Sequence, residues 1–237
     1  MAKIRVGVIF GGRSGEHEVS LVSARSVMDA MDKEKYEVVP IGITKEGCWI
    51  AFGDPMKALT AGDVSVSHPA ALLGDPSRRG LMRLEDTERA IQATRLAELD
   101  VVFPVLHGPY GEDGTVQGLL ELAGIPYVGA GVMASAVGMD KAIFKGVMQA
   151  HGLPVADYLV LKRKEWDADP EGVMDRIEER LGYPVFTKPA NLGSSVGVSK
   201  CHDRAGLTAG LAEAARYDRK LLVEAAVPAA REIEVSG

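Results

Sequence analysis

The chain has no apolar run long enough to cross a membrane, and its opening apolar stretch, residues 4–10, is cut short by Gly11-Gly12. Such a run is too short for a spanning helix or the core of a secretory leader, so neither a membrane role nor export is expected. Cysteine is scarce. Cys48 and Cys201 stand far apart, form no CxxC or zinc-like spacing, and fit a reducing, cytoplasmic compartment. No block of basic residues occurs, and 27 Lys and Arg against 33 Asp and Glu give a net charge of −6, which argues against a nucleic-acid partner. A small anion is not excluded, because a few local lysines decide its binding. Neither GxGxxG nor a Gly-Lys-Ser/Thr ending is present, so the dinucleotide fingerprint and the Walker loop are both missing. No Ser-His-Asp or Cys-His pattern suggests a covalent nucleophile, and there is no internal repeat or low-complexity tract.

What is present is a chain of 237 residues, 46% hydrophobic and 25% charged, enough for one large or two ordinary globular domains. Residues 4–10 read as a buried strand, 11–15 as a glycine turn, 18–31 as a helix, and 36–43 as a second strand. That βαβ opening predicts a parallel sheet. The helix is expected to turn Val19, Val22, Val27, Ala30 and Met31 inward. Residues 53–95, with Pro55, Pro69, Pro76 and Gly80, read as loops with short strands. Strands are expected at 100–105 and 127–128, and a helix at 115–123 with Gly124 at its C-terminal cap. A first domain, 1–138, gives way to a second, 139–237. In the second, helices are expected at 141–150, 170–181 and 203–217, the middle one opened by Asp169-Pro170. Strands are expected at 158–162, 185–188, 196–200, 221–224 and 232–235. The chain stops within the last of these, from which a longer parent protein is expected.

Five constellations carry chemistry. The richest is the run from Lys188 to Lys200. A lysine ends an apolar strand, and Gly193, Ser194, Ser195, Val196 and Gly197 form a small polar loop. Glycines admit a ligand close to the backbone, Ser N–H and O–H groups donate to phosphate oxygens, and Lys188 supplies a point charge. The second is Gly11-Gly12-Arg13-Ser14-Gly15-Glu16. It reads either as a capped turn or as an anion site at a helix start, with Glu16 available to a substrate ammonium; local physics favours the capped turn. The third runs from His107 to Gly114 at the C-terminal end of a strand, where open α/β sheets bind ligands; His107 orients a substrate there or is a satisfied turn histidine. The fourth is Met139-Asp140-Lys141, and the fifth, read separately, is Leu221-Leu222-Val223-Glu224. A lysine opening a helix opposes the macrodipole, which draws attention to a ligand. A carboxylate ending a buried strand can accept from a ribose hydroxyl or an adenine amine, the plain alternative being an edge carboxylate in solvent.

Taken in order, these motifs resemble the D-alanine–D-alanine ligases of the ATP-grasp superfamily. The resemblance rests on residues 10–21, His107-Gly108, Gly111-Glu112-Asp113-Gly114, Gln117-Gly118, Pro126-Tyr127-Val128-Gly129, Met133-Ala134-Ser135-Ala136, Met139-Asp140-Lys141, Lys188-Pro189-Ala190-Asn191 through Ser199-Lys200, and Arg231-Glu232-Ile233-Glu234-Val235. It implies an α/β fold with a Rossmann-like pre-ATP-grasp domain holding the first D-alanine, followed by an incomplete α+β ATP-grasp domain. It also implies ATP with Mg2+ or Mn2+, phosphoryl transfer to the first D-alanine, and attack by the second, for peptidoglycan precursors. By the same resemblance Glu16 and Ser194 are catalytic, and Glu16, Val19, His107 and Ser195 bind substrate. Lys141, Lys188, Gly193, Ser194, Ser195, Val196, Glu224, Val227 and Glu232 bind the nucleotide. The metal ligands are expected beyond residue 237, so the 237-residue chain alone is expected to turn over little or nothing. A cytoplasmic homodimer is implied. The alternatives are a D-alanine–D-lactate ligase, towards which residues 16–20 do not lean, another ATP-grasp carboxylate–amine ligase, and a non-catalytic binding fragment.

Overall fold

The computed structural model describes residues 2–233, apart from the side chain of Val66. The chain divides into two compact units, Met1–Val137 and Gly138–Gly237.

Unit 1 is built on β1 (Ile4–Gly11), β2 (Tyr36–Ile43) and β7 (Val101–Pro104), which lie parallel with β1 in the middle. The alternation of β1 serves two layers at once. Val8 and Phe10 pack with Ala24 of α1 (His17–Ala30), while Ile9 packs with Ile41, Val102 and Leu120 on the other side. Each such fully buried side chain contributes about 1.5–3 kcal/mol of hydrophobic stabilisation. Beyond β2 the sheet continues antiparallel through β3 (Trp49–Ala51), β4 (His68–Leu72), β5 (Leu81–Asp86) and β6 (Ile91–Ala97), giving the order β6-β5-β4-β3-β2-β1-β7. The expected parallel sheet is therefore the core of a wider, mixed one.

The segment expected as loops with short strands, 53–95, holds three of those strands and helix α2 (Pro55–Ala61). Asp54 caps α2 by accepting from Lys57 N at 2.9 Å, with proline at the first helical position. Helix α3 (Thr115–Ala123) ends at Gly124, whose φ of 63° is the left-handed cap expected from sequence. The strand expected at 127–128 is a single parallel bridge between Tyr127 and Val102.

Helix α1 does not turn Val19, Val22 or Ala30 inward; Val19 and Val22 are 53% and 70% exposed, and Ala30 is exposed as well. Its buried line is His17, Ser20 and Ala24, continued by half-buried Val27 and by Met31 just past the helix end, at steps of three, four, three and four residues. Val19 and Val22 sit about 100° and 200° around the helix from Ser20.

Unit 2 begins with the end of α4 (Val132–Met139) and α5 (Lys141–Ala150). Its sheet is wholly antiparallel, ordered β10 (Ser199–Cys201), β9 (Val185–Pro189), β11 (Lys220–Ala225), β8 (Tyr158–Lys162). One face of that sheet is covered by α6 (Arg163–Ala168), α7 (Pro170–Leu181) and α8 (Arg204–Tyr217), which bury Val185, Leu221 and Val223 against Ile177, Leu207 and Leu211. Helix α7 starts where Asp169-Pro170 predicts, the Asp169 side chain accepting from Gly172 N at 3.0 Å. The strand expected at 232–235 is not formed at Glu232 and Ile233, and its remaining residues lie outside the described ones.

Candidate functional site

In unit 1 the loops after β1 and β7 meet, because their strands are parallel neighbours and both loops leave the same end of the sheet. The meeting is built from short polar side chains. Ser20 takes Gly11 N at 2.8 Å and donates to the Val105 carbonyl, so α1 is tied to both strand ends. Ser14 donates to the His107 carbonyl at 2.8 Å and accepts from Glu16 N at 3.1 Å. Gly12 N goes to the Ile43 carbonyl at 2.9 Å. The Gly11, Gly12 and Glu16 N–H groups are therefore spent within the fold, in line with the turn that local physics favours here. Glu16, 9% exposed, buries its carboxylate in this loop, while the Arg13 guanidinium lies over the Tyr110 ring, 4.8 Å from its centre.

The Glu16 carboxylate reaches the His107 loop directly. A Cβ at residue 108 would stand 2.5 Å from Glu16 Oε2, so the site depends on Gly108, whose φ is 73°. His107 Nε2 lies 3.1 Å from Ser23 Oγ on α1, and Gly108 N donates to Glu112 Oε2 at 2.7 Å. The structure thus brings Glu16 against the loop that carries His107, whose ring turns to Ser23. Val19 faces away from this cluster's buried side and is exposed.

In unit 2 the open face of the sheet presents one straight row across all four strands. Lys200 pairs in register with Phe186, Phe186 with Glu224, and Glu224 with Tyr158. Glu224 is not an edge carboxylate in solvent: it sits on an interior strand, its side chain 13% exposed. Its Oε1 accepts from Lys145 and its Oε2 from Lys188, each at 2.5 Å. Burial pushes the Glu224 carboxyl up, and the two lysine hydrogen bonds and charges outweigh that, holding it below the usual glutamate range. The Lys188 and Lys200 ammoniums both lie over the Phe186 ring, 5.5 and 5.6 Å from its centre. Three lysines against one glutamate leave this face cationic.

Beside it, Lys141 N donates to the Ala190 carbonyl at 3.0 Å and its Nζ to the carbonyl of Leu192. Asp140 caps α5 through Ala142 N and Ile143 N and pairs with Lys220. The loop from Gly193 to Gly197 carries two non-glycine residues in the left-handed region, Ser194 at φ 48° and Ser195 at φ 57°. Such residues cost on the order of 1 kcal/mol each and cluster at ligand clamps. Gly197, at φ 71°, lets the loop pass where a Cβ would come within 2.8 Å of both Pro189 and Tyr217.

The profile described as D-ala D-ala ligase N-terminus matches residues 5–130, and that described as D-ala D-ala ligase C-terminus matches residues 147–236. The chain belongs to the D-alanine–D-alanine ligase family. It is 50% identical over 237 residues to the D-alanine–D-alanine ligase of Natranaerobius thermophilus, covering all of this chain and 63% of that one. With the ligase of Mycolicibacterium vanbaalenii it shares 52% over 241 residues, 98% of this chain and 63% of the relative. The VanG D-Ala:D-Ser ligase from Enterococcus faecalis superposes with a TM-score of 0.80 at 36% identity, over 95% of this chain and 63% of that one. The D-alanine–D-alanine ligase from Coxiella burnetii gives 0.76 at 34%, over 95% and 62%. The chain therefore spans about 63% of the length of the curated relatives it matches.

Among the residues that the family resemblance singles out, Lys188 and Glu224 are in direct contact, and Lys141 touches the loop that holds Gly193, Ser194, Ser195 and Val196. Val227 and Glu232 are exposed in the segment after β11 and are not gathered with them. Sequence reading missed Lys145. The signal was its position four residues after Lys141, which places both lysines on one side of a helix. Among the described residues, no group of three or more His, Cys, Asp or Glu is placed to hold a metal ion. The carboxylates nearest the lysines, Glu224 and Asp140, are already paired with lysines, so these residues do not fit Mg2+ or Mn2+.

Proposed function

We propose that this chain supplies the first D-alanine site and the nucleotide site of a ligase that forms D-alanyl-D-alanine. The observation that carries the reading is the cationic face of unit 2, where Lys188 and Glu224 meet beside the serine–glycine loop. Lysines on a half-buried sheet suit the phosphates of ATP. Glu224, ionised, suits a hydroxyl or amine donor of the nucleoside. In unit 1, Glu16 and His107 suit the ammonium and carboxylate of a small amino acid. The reaction moves the terminal phosphoryl group of ATP onto a D-alanine carboxylate oxygen, releasing ADP. The amine of a second D-alanine then attacks the acyl carbon, phosphate leaves, and the amine loses its proton. Such chemistry rests on positioning and charge neutralisation, which the lysines and the loop, with Ser194 and Ser195, provide from this chain.

Isothermal titration of the 237-residue chain tests the two sites separately. ATP binding is expected to weaken at least about tenfold in Lys188→Met, and D-alanine binding likewise in Glu16→Gln. ATP affinity unchanged by Lys188→Met overturns the nucleotide assignment. Turnover by this chain alone is expected to be little or none, since the described residues bring no cluster of carboxylates to the phosphates. Phosphate release near that of a full-length relative sinks that part.

A second reading keeps the chemistry and changes the acceptor, and the D-Ala:D-Ser ligase among the structural relatives favours it. Phosphate release by the full-length protein with D-alanine, D-serine or D-lactate as second substrate separates the acceptors. The proposal includes a cytoplasmic homodimer. Light scattering of the purified protein measures the mass; among the described residues no helix is long and apolar enough to cross a membrane.

A further inference from the structure

Two lysines hold Glu224, one more than its charge requires, and they are not equivalent. Lys188 projects from β9 with 25% of its side chain exposed, beside the loop that suits phosphates. Lys145 comes from α5, is 14% exposed, and lies 5.4 Å from the centre of the Tyr158 ring, the cross-strand neighbour of Glu224. When phosphates draw Lys188 away, the Glu224 carboxylate loses one of its two cations while remaining desolvated. With no other partner such a carboxylate takes up a proton. It would then present an O–H donor where an acceptor is needed.

We propose that Lys145 is a positioning residue for nucleotide recognition: it keeps Glu224 oriented through Oε1, so that Oε2, released by Lys188, becomes the acceptor for the exocyclic amine of an adenine base. The two lysines thus divide the work. Lys188 exchanges the carboxylate for phosphate, and Lys145 stays. An oxo group at the same place on the base meets the retained carboxylate oxygen acceptor to acceptor and is rejected. This rests on the ATP reading above.

The experiment titrates ATP and inosine triphosphate, which carries an oxo group in place of the adenine amine, into wild type, Lys145→Met and Lys145→Arg. Thermal unfolding of each variant checks folding. Wild type is expected to prefer ATP. Lys145→Met is expected to lose about ten- to hundredfold in ATP affinity and most of the ATP preference, with Lys145→Arg restoring the preference. A preference unchanged in Lys145→Met overturns the proposal. A wild type that binds both nucleotides equally also overturns it while leaving the nucleotide site intact. If wild type binds neither, the nucleotide reading fails. Carbon-13 NMR of the Glu224 carboxyl then decides what Lys145 does: a titration midpoint raised by Lys145→Met supports its hold on Glu224, and an unmoved midpoint refutes it.

Discussion

At the scale of residues, Glu224 is the most consequential side chain. Its folded ionisation lies below the ordinary glutamate range because Lys145 and Lys188 favour the charged form more than burial opposes it. A depressed carboxylate contributes stability that is complete above the unfolded value and is lost as pH falls through the folded one. Glu224→Gln leaves Lys145 and Lys188 side by side without their anion. It is expected to lower the unfolding free energy at neutral pH by on the order of 2–3 kcal/mol, less than for a fully buried pair because Lys188 is partly exposed. Urea unfolding should show the wild-type and variant curves converging as pH drops below the glutamate range; curves that stay parallel into acid contradict the assignment. The sequence made Glu224 legible as the end of an apolar strand. It did not reveal the strand's interior place in the sheet, because strand order is a long-range property that local alternation does not encode. Lys145 was hidden for a similar reason: one lysine on an amphipathic helix looks like any solvated charge until its partner, 79 residues away, is placed beside it.

At the scale of elements, the legible ones had strong local punctuation. Asp169-Pro170 opens α7 and Gly124 closes α3 as their chemistry requires. Asp54-Pro55 carries the same punctuation as Asp169-Pro170, yet the neighbouring prolines suggested a loop; α2 shows that a proline after a capping aspartate opens a helix rather than breaking one. The antiparallel strands β4 to β6 were obscured by short length and polar surfaces, since much of β6 is exposed and carries no buried alternation. Packing between elements yields a separate expectation. At Gly210 of α8 an added Cβ would come within 2.5 Å of Thr187 Oγ1 and 2.8 Å of Cys201 Sγ, so the helix lies on β9 and β10 only because that methyl is missing. Gly210→Ala gains up to about 1 kcal/mol of helix propensity. It loses about 1–3 kcal/mol to overpacking, so net destabilisation is expected in a thermal melt. A rise in melting temperature there shows that the helix moves away freely.

At the scale of the whole molecule, composition gave a net charge of −6 that argued against a nucleic-acid partner and left small anions to local lysines, and one sheet face gathers Lys145, Lys188 and Lys200. Net charge averages over a surface that the fold sorts. The two units each have their own core, and each holds one of the two tryptophans: Trp49 packs against the core of unit 1, and Trp166 lies in that of unit 2. Single-tryptophan variants therefore report the units one at a time. ATP is expected to stabilise the unit whose unfolding Trp166 reports, and D-alanine the one that Trp49 reports, each by about 2.7 kcal/mol of unfolding free energy at a hundredfold excess over its dissociation constant. ATP acting on the Trp49 transition alone would place the nucleotide in the wrong unit.

The gap at residue 108 has a consequence for how this protein can vary. Glu16 occupies the volume that any side chain there would claim, although the two positions stand 92 residues apart. Neither loop can be redesigned alone. An engineer who enlarges residue 108 displaces the carboxylate, and one who shortens residue 16 to make room removes it. The acidic function of one loop and the bareness of the other are bound together by a single close approach.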